Sequence, residues 1–183
     1  MLRFSGAGVS DVGRVRPHNE DSAFVGPYVA VVADGVGGAA AGEIASATAA
    51  YSATAVALAN PRQRPELVLA EAYAAAAAVV RMGVQRDLER LGMATTLTML
   101  VTDGHYVALG HLGDSRGYLF RDDSLRQLTK DHTYVQHLVD TGQLSAEDRA
   151  VHPWRNVVLR SVDRKSTRLN SSHGLLSRMP SSA

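Results

Sequence analysis

Apolar residues recur along this chain in successive rhythms, and each rhythm predicts a different kind of element. Residues 3–10 and 23–33 read as strands; the second carries Phe24, Val25, Tyr28, Val29, Val31 and Val32 and ends on the polar pair Asp34-Gly35. A strand that stops on an acid is well placed to present it. Residues 42–60 are rich in alanine, which favours helix, and Asn60-Pro61 ends that helix. A second helix is predicted over 65–91, where Leu69, Tyr73, Ala77, Val80, Val84, Leu88 and Leu91 form one stripe at spacings of four and three. The stripe should pack on the first helix or on a sheet.

Beyond residue 95 the period falls to two. Residues 96–101 and 106–112 alternate, and Asp103-Gly104 between them is a two-residue hairpin signal. Residues 117–121 make a third strand, Asp122-Asp123 a turn, and 125–128 a short fourth. Asp131 is expected to cap a helix running to Thr141 with Gly142 as its stop, and Ser145 opens a short helical segment with Glu147 and Asp148 in its first turn. Strands, two long helices and then a meander describe an α+β domain in which helices cover sheet faces.

Composition narrows the class. A chain of 183 residues, 45% hydrophobic and 20% charged, suits one globular domain. No apolar run approaches the roughly 18 residues of a membrane span, and the opening 16 residues do not have the layout of a secretory signal, so the expected location is cytoplasmic. The absence of cysteine removes disulfides, thiolate zinc sites and cysteine nucleophiles. The formal charge of +1 conceals an uneven distribution. Residues 164–183 hold Arg164, Lys165, Arg168 and Arg178 and no acid; without them 15 basic side chains face 18 acidic ones, a net of −3. A mildly acidic body argues against nucleic acid as a partner. The same 20 residues carry six serines and no periodicity, which predicts a flexible tail. That string resembles translated adapter or vector sequence joined to a shortened reading frame, so the domain is expected to occupy residues 1–163.

Four clusters carry candidate chemistry: Arg16-Pro17-His18-Asn19-Glu20-Asp21-Ser22; Asp34-Gly35-Val36-Gly37-Gly38 with Gly42-Glu43-Ile44-Ala45-Ser46; Met93-Ala94-Thr95-Thr96-Leu97-Thr98; and Gly113-Asp114-Ser115-Arg116 with Leu128-Thr129-Lys130-Asp131-His132. Taken singly, each has a duller explanation. Glu20-Asp21 reads as a solvated acidic turn, the glycines after Asp34 as a tight turn, and Gly113-Asp114-Ser115 as a β-turn. In this order and spacing, however, the clusters resemble the signature blocks of the metal-dependent serine/threonine protein phosphatases, the type 2C family, in bacterial form. The resemblance runs over residues 6–163 and includes His152-Pro153 and residues 155–160, a strand in the family.

The resemblance implies a four-layer α-β-β-α sandwich of antiparallel sheets flanked by helices, incomplete at the C-terminus. It implies hydrolysis of phosphoserine and phosphothreonine in proteins, with two Mn²⁺ or Mg²⁺ ions and a third, weaker ion. Such cations prefer about six oxygen ligands, so two of them need several carboxylates and a shared ligand, and between them a water loses its proton near neutral pH. By resemblance Asp34 bridges both ions, the Gly35 carbonyl binds one, Glu20 serves the same site, and Asp21 orients it from behind. Asp114 matches the aspartate of the additional ion, while Ser115 and Arg116 stabilise the turn. Arg16, four residues before Glu20, matches the phosphate-binding arginine, whose planar fork suits paired phosphate oxygens. Of the seven histidines none has zinc-helix spacing, and most are expected at the surface; His18 is nearest the chemistry. Animal members carry a histidine general acid after the Asp-Gly pair; here that position is Val36, so water is expected to protonate the leaving group.

Two late family motifs, Ser-Asp-Gly-Leu and Asp-Asn, supply further ligands and do not occur here; Asp163 is the one acid after Asp148. The chain is therefore expected to have little or no activity of its own. The expected partners are phosphorylated proteins, including bacterial Ser/Thr kinases and their substrates, with no membrane segment in this chain. Two further readings stay open: a non-catalytic phosphopeptide-binding or regulatory module, and a different two-metal phosphoesterase, which the block order disfavours.

Overall fold

In the computed structural model, which describes residues 1–37, 39–87, 90–162 and 179–180, the apolar run expected as one strand folds back on itself. Strands β1 (Asp21–Val25) and β2 (Val29–Val36) pair antiparallel, with Asp21 opposite Asp34. The turn falls at Gly26-Pro27, where proline cannot donate to a ladder, and the Gly26 N–H donates to the Val29 carbonyl at 2.8 Å. Residues 3–10 form no strand. Gly6 and Gly8 interrupt the alternation, and the segment is tied by the Leu2 N–H to the Gly104 carbonyl (2.7 Å) and the Phe4 N–H to the Pro27 carbonyl (2.8 Å).

Helix α1 (Ala39–Ala59) begins three residues before its expected start, and α2 (Pro65–Arg86) stops five residues before its expected end. Asp87 is extended at the end of α2, and its side chain instead takes the Arg90 Nε at 3.1 Å, so the helical stripe breaks there. Leu91 is accordingly exposed, and Leu88 lies outside the described residues. One face of α1 is small: Ala45, Ala49, Ala53 and Ala57 recur every four residues and are buried, so neighbouring backbone can approach closely. Against it α2 buries Val68, Leu69, Ala72, Tyr73, Ala76, Val80 and Val84. By length and hydropathy α2 does match a membrane span, contrary to the reading of the sequence; its apolar stripe, though, belongs to the main core cluster.

The sheet continues with β3 (Ala94–Thr95), a short partner of the end of β2, then β4 (Leu97–Thr102) and β5 (Tyr106–Leu112). The β4–β5 connection has three residues rather than two, because the Asp103 carboxylate captures the amides of His105 (2.8 Å) and Tyr106 (2.9 Å). Val29, Val31, Ala33, Leu97, Met99 and Val101 face the helices and complete the core. A second antiparallel pair, β6 (Tyr118–Arg121) and β7 (Ser124–Gln127), is closed by Asp122 and Asp123 with φ of 50° and 55°. Two left-handed residues in a row are what a tight hairpin of this twist needs, and aspartate tolerates them.

Helix α3 (Tyr134–Asp140) is capped by Thr133, whose Oγ1 accepts the Gln136 N–H at 3.2 Å, and not by Asp131, which is engaged elsewhere. Ser145 opens the expected short helical segment, a 3-10 turn at Asp148–Ala150 whose Asp148 N–H donates to Ser145 Oγ at 3.1 Å. Residues 155–160 form no strand; this region is joined to the rest by single bridges, Thr133 to Val158 and Thr95 to Val162. The last element, β8 (Met179–Pro180), pairs with β5, giving the order β1-β2-β4-β5-β8 with β3 beside β2. The rest of the expected flexible tail, residues 164–183, lies outside the described residues. Mixed α/β architecture with antiparallel sheets and helices is thus as expected, with the second sheet a two-stranded pair among the described residues.

Candidate metal centre

The period of two that sends Val31, Ala33 and Gly35 into the core turns Asp34 to the opposite face at the end of β2. Its backbone is gripped from β3 and its neighbour. The Asp34 N–H donates to Thr96 Oγ1 (2.9 Å), while the Thr96 N–H (2.9 Å) and Thr95 Oγ1 (3.0 Å) both donate to the Asp34 carbonyl. Asp21 stands opposite it in the β1–β2 ladder, where a proton on Asp34 can be shared with the Asp21 carboxylate. Partial burial, then the charges of Asp21 and Asp114, push the Asp34 carboxyl up to about 6, against the pull of the Arg16 charge. Asp21, Asp114 and Arg16 thereby act on one carboxylate.

Glu20 is fixed through its main chain. Its carbonyl accepts from the Gly35 N–H (3.1 Å) and from Ser46 Oγ (2.6 Å), which also meets Ser22 Oγ at 3.1 Å. A Cβ at Gly35 would collide with the Gly42 carbonyl and lie 2.8 Å from the Glu20 carbonyl; one at Gly42 would collide with the Glu20 carboxylate. Glycine is required at both places so that β2, the Glu20 backbone and the first turn of α1 can meet. The Glu20 side chain thus lies against Gly42, while Asp21 stands opposite Asp34 in the ladder.

Asp114 sits just past β5, after Gly113 at φ 113°, a conformation that side chains rarely adopt. The loop is clamped from both sides. Ser115 Oγ meets Thr96 Oγ1 at 2.8 Å, and Arg116 grips Asp131 in a bidentate pair, Nε to Oδ1 at 2.9 Å and Nη2 to Oδ2 at 2.5 Å. Asp131 is buried, which is why it is not free to cap α3. His132 accepts the Gly113 N–H at Nδ1 (3.2 Å) and donates its own N–H to the Gly113 carbonyl (2.8 Å). His111 stacks on His132 with ring centroids 5.0 Å apart, and meets Thr98 Oγ1 (2.9 Å) and the Lys130 carbonyl (3.1 Å). His111 is buried, and that burial pushes its pKa down.

His18 and Arg16 are both exposed. All the candidate donors are hard oxygens, and crowded carboxylates whose repulsion raises a pKa are relieved by a cation, so the residues fit a divalent ion of the Mn²⁺ or Mg²⁺ kind. They fit as part of a coordination sphere. Among the described residues no three His, Asp or Glu side chains are grouped so as to hold a metal by themselves. Thr95, Thr96 and Ser46 lay within the candidate clusters without an assigned role; their hydroxyls hold Asp34 and Glu20 by their main chains.

Known proteins are similar over the same region. The serine/threonine protein phosphatase PstP of Mycobacterium tuberculosis is 40% identical over 162 residues, 88% of this chain and 31% of its own length, so the chain spans about a third of that relative. The crystal structure of M. tuberculosis PstP/Ppp superposes with a TM-score of 0.85 at 36% identity, covering 96% of this chain and 72% of that one. A structure of the PstP catalytic domain in complex with two manganese ions gives 0.82 at 34%, covering 96% and 71%. The sequence pattern of the family described as Protein phosphatase 2C matches residues 18–166, and the chain belongs to that family.

Proposed function

We infer that this chain carries the phosphate-binding arginine and part of the metal cage of a protein phosphatase that hydrolyses phosphoserine and phosphothreonine. Support comes from membership of the protein phosphatase 2C family and from similarity to a phosphatase domain solved with two manganese ions. The observation that carries the reading is the Asp34 carboxyl, raised to about 6 by partial burial and then by the charges of Asp21 and Asp114, against the pull of Arg16. Asp34, Glu20 and the Gly35 carbonyl would hold two Mn²⁺ or Mg²⁺ ions, and Asp114 a weaker third. Bound there, the ions supply Lewis-acid charge at the phosphoryl oxygens and lower the pKa of water. The chain's own contribution is placement. Arg16, which is exposed, would bind two phosphate oxygens; Asp21 stands behind the site, opposite Asp34 in the strand pair; Gly35 and Gly42 admit the close backbone approach that brings Glu20 in. Val36 has no proton to give, so the leaving alkoxide takes one from water. The substrates are phosphorylated proteins of the cytoplasm, including Ser/Thr kinases and their targets.

Release of phosphate from a phosphothreonine peptide by this chain, with Mn²⁺ against EDTA and in Asp34→Asn, tests the reading. Slow release that needs Mn²⁺ and disappears in Asp34→Asn is expected, slow because the described carboxylates make up less than a full cage. Release indifferent to EDTA, or to the substitution, would overturn it. That same incomplete cage favours a second reading, a module that binds phosphopeptides without turning them over; saturable, Arg16-dependent binding with no release would select it.

A further inference from the structure

Thr96 stands where the two acid-bearing loops meet. It is 1% exposed and Thr95 is fully buried. Its hydroxyl accepts the Asp34 N–H at 2.9 Å and meets Ser115 Oγ at 2.8 Å, one residue beyond Asp114. Its own N–H returns to the Asp34 carbonyl at 2.9 Å. Its methyl lies under Gly113, where an added Cβ would come within 2.5 Å of Thr96 Cγ2 and 2.6 Å of Thr96 Cβ. A hydroxyl has one hydrogen and two lone pairs, so Thr96 can take the Asp34 amide and still bond Ser115 in either direction. Serine would keep that bridge and lose the methyl; valine would keep the shape and leave a buried amide without its acceptor.

We propose that Thr96 is a positioning residue for the metal centre: its hydroxyl, through Ser115, fixes the Asp34 carboxylate relative to the loop that carries Asp114. It touches neither metal nor substrate and acts through the two acids. Thr95 supports one side by its bond to the Asp34 carbonyl at 3.0 Å. The proposal rests on the metal-site reading above, and two measurements keep their failures apart.

The first is Mn²⁺ affinity, by isothermal titration of the intact chain. Thr96→Val should weaken Mn²⁺ binding about 10-fold or more, the range for losing an outer partner of a metal ligand, while Thr96→Ser should stay close to wild type. Ser115→Ala removes the bridge from the loop side, leaves the buried Thr96 in place, and should weaken binding in the same direction; it keeps the test readable if Thr96→Val does not fold. Equal losses in Thr96→Val and Thr96→Ser, or wild-type affinity in both Thr96→Val and Ser115→Ala, would overturn the proposal. The second measurement needs no metal. In EDTA, the ¹⁵N–¹H signal of the Asp34 amide should move in Ser115→Ala and stay in place in a control substitution at exposed Arg126. An unmoved Asp34 signal in Ser115→Ala would refute the bridge. Should the signal move while wild type binds no Mn²⁺, the metal reading would fall and the bridge would stand.

Discussion

In the metal-free protein, Asp34→Asn should raise stability near neutral pH and abolish a specific pH dependence. The folded state holds the Asp34 carboxyl at about 6, above its ordinary value of 3.8. Between those values the folded chain binds more protons than the unfolded one, so the contribution of this group to stability falls as pH rises through the window. A change of this size corresponds to about 3 kcal/mol at full strength, and solvent screening at a partly exposed carboxyl reduces it to on the order of 1 kcal/mol. Asparagine has nearly the same shape and can donate to Asp21, without the charge. Urea unfolding in EDTA, wild type against Asp34→Asn at pH 4.0 and pH 7.5, isolates the contribution of this carboxyl, because the other carboxylates are common to both. The variant should be more stable by about 1 kcal/mol at pH 7.5, with the gap closing at pH 4.0. Saturating Mn²⁺ at pH 7.5 should reverse the order, since a ligand at 100 times its Kd adds about 2.7 kcal/mol to the chain that binds it. A variant less stable than wild type in EDTA at pH 7.5, or a gap that ignores pH, would refute the electrostatic reasoning.

Three further substitutions probe the frame around the site. Tyr73→Phe removes a buried hydrogen bond to the Leu97 carbonyl (2.8 Å) and should lower unfolding stability by roughly 1–2 kcal/mol, measured by urea denaturation. Arg116→Met strands the buried Asp131 carboxylate and should cost about 2–3 kcal/mol at pH 7, somewhat below the figure for a fully buried pair because Arg116 itself is partly exposed. Gly113→Ala combines an unfavourable φ of 113° with a collision against Thr96 and should lower the melting temperature by more than Gly142→Ala, a position with open space around it.

Much of this was legible in the chain, and the misreadings share a cause. The α2 stripe from Leu69 to Val84 reports burial directly, because a helix that packs on one side must repeat its apolar residues at that spacing. Asp34 at a strand end was visible for a similar reason. The fold-back at Gly26-Pro27 was masked by apolar residues on both sides, although Gly-Pro is itself a turn signal. Asp131 had the form of a helix cap and was claimed instead by Arg116, fifteen residues earlier; no local pattern reports a competing partner from another element. The roles of Thr96 and Ser46 were hidden for the same reason, since each acts on an acid from a different part of the chain. The burial of His111 was not legible in the sequence, because it depends on the Lys130 carbonyl and the His132 ring, which only the tertiary fold brings to it.

A crystal of the chain soaked in MnCl₂ and measured at the manganese absorption edge tests the central claim directly. The account predicts an anomalous peak within coordination distance of the Asp34 carboxylate and the Gly35 carbonyl, absent from Asp34→Asn crystals treated alike. Peaks confined to other acids, with none beside Asp34 at saturating Mn²⁺, would contradict it.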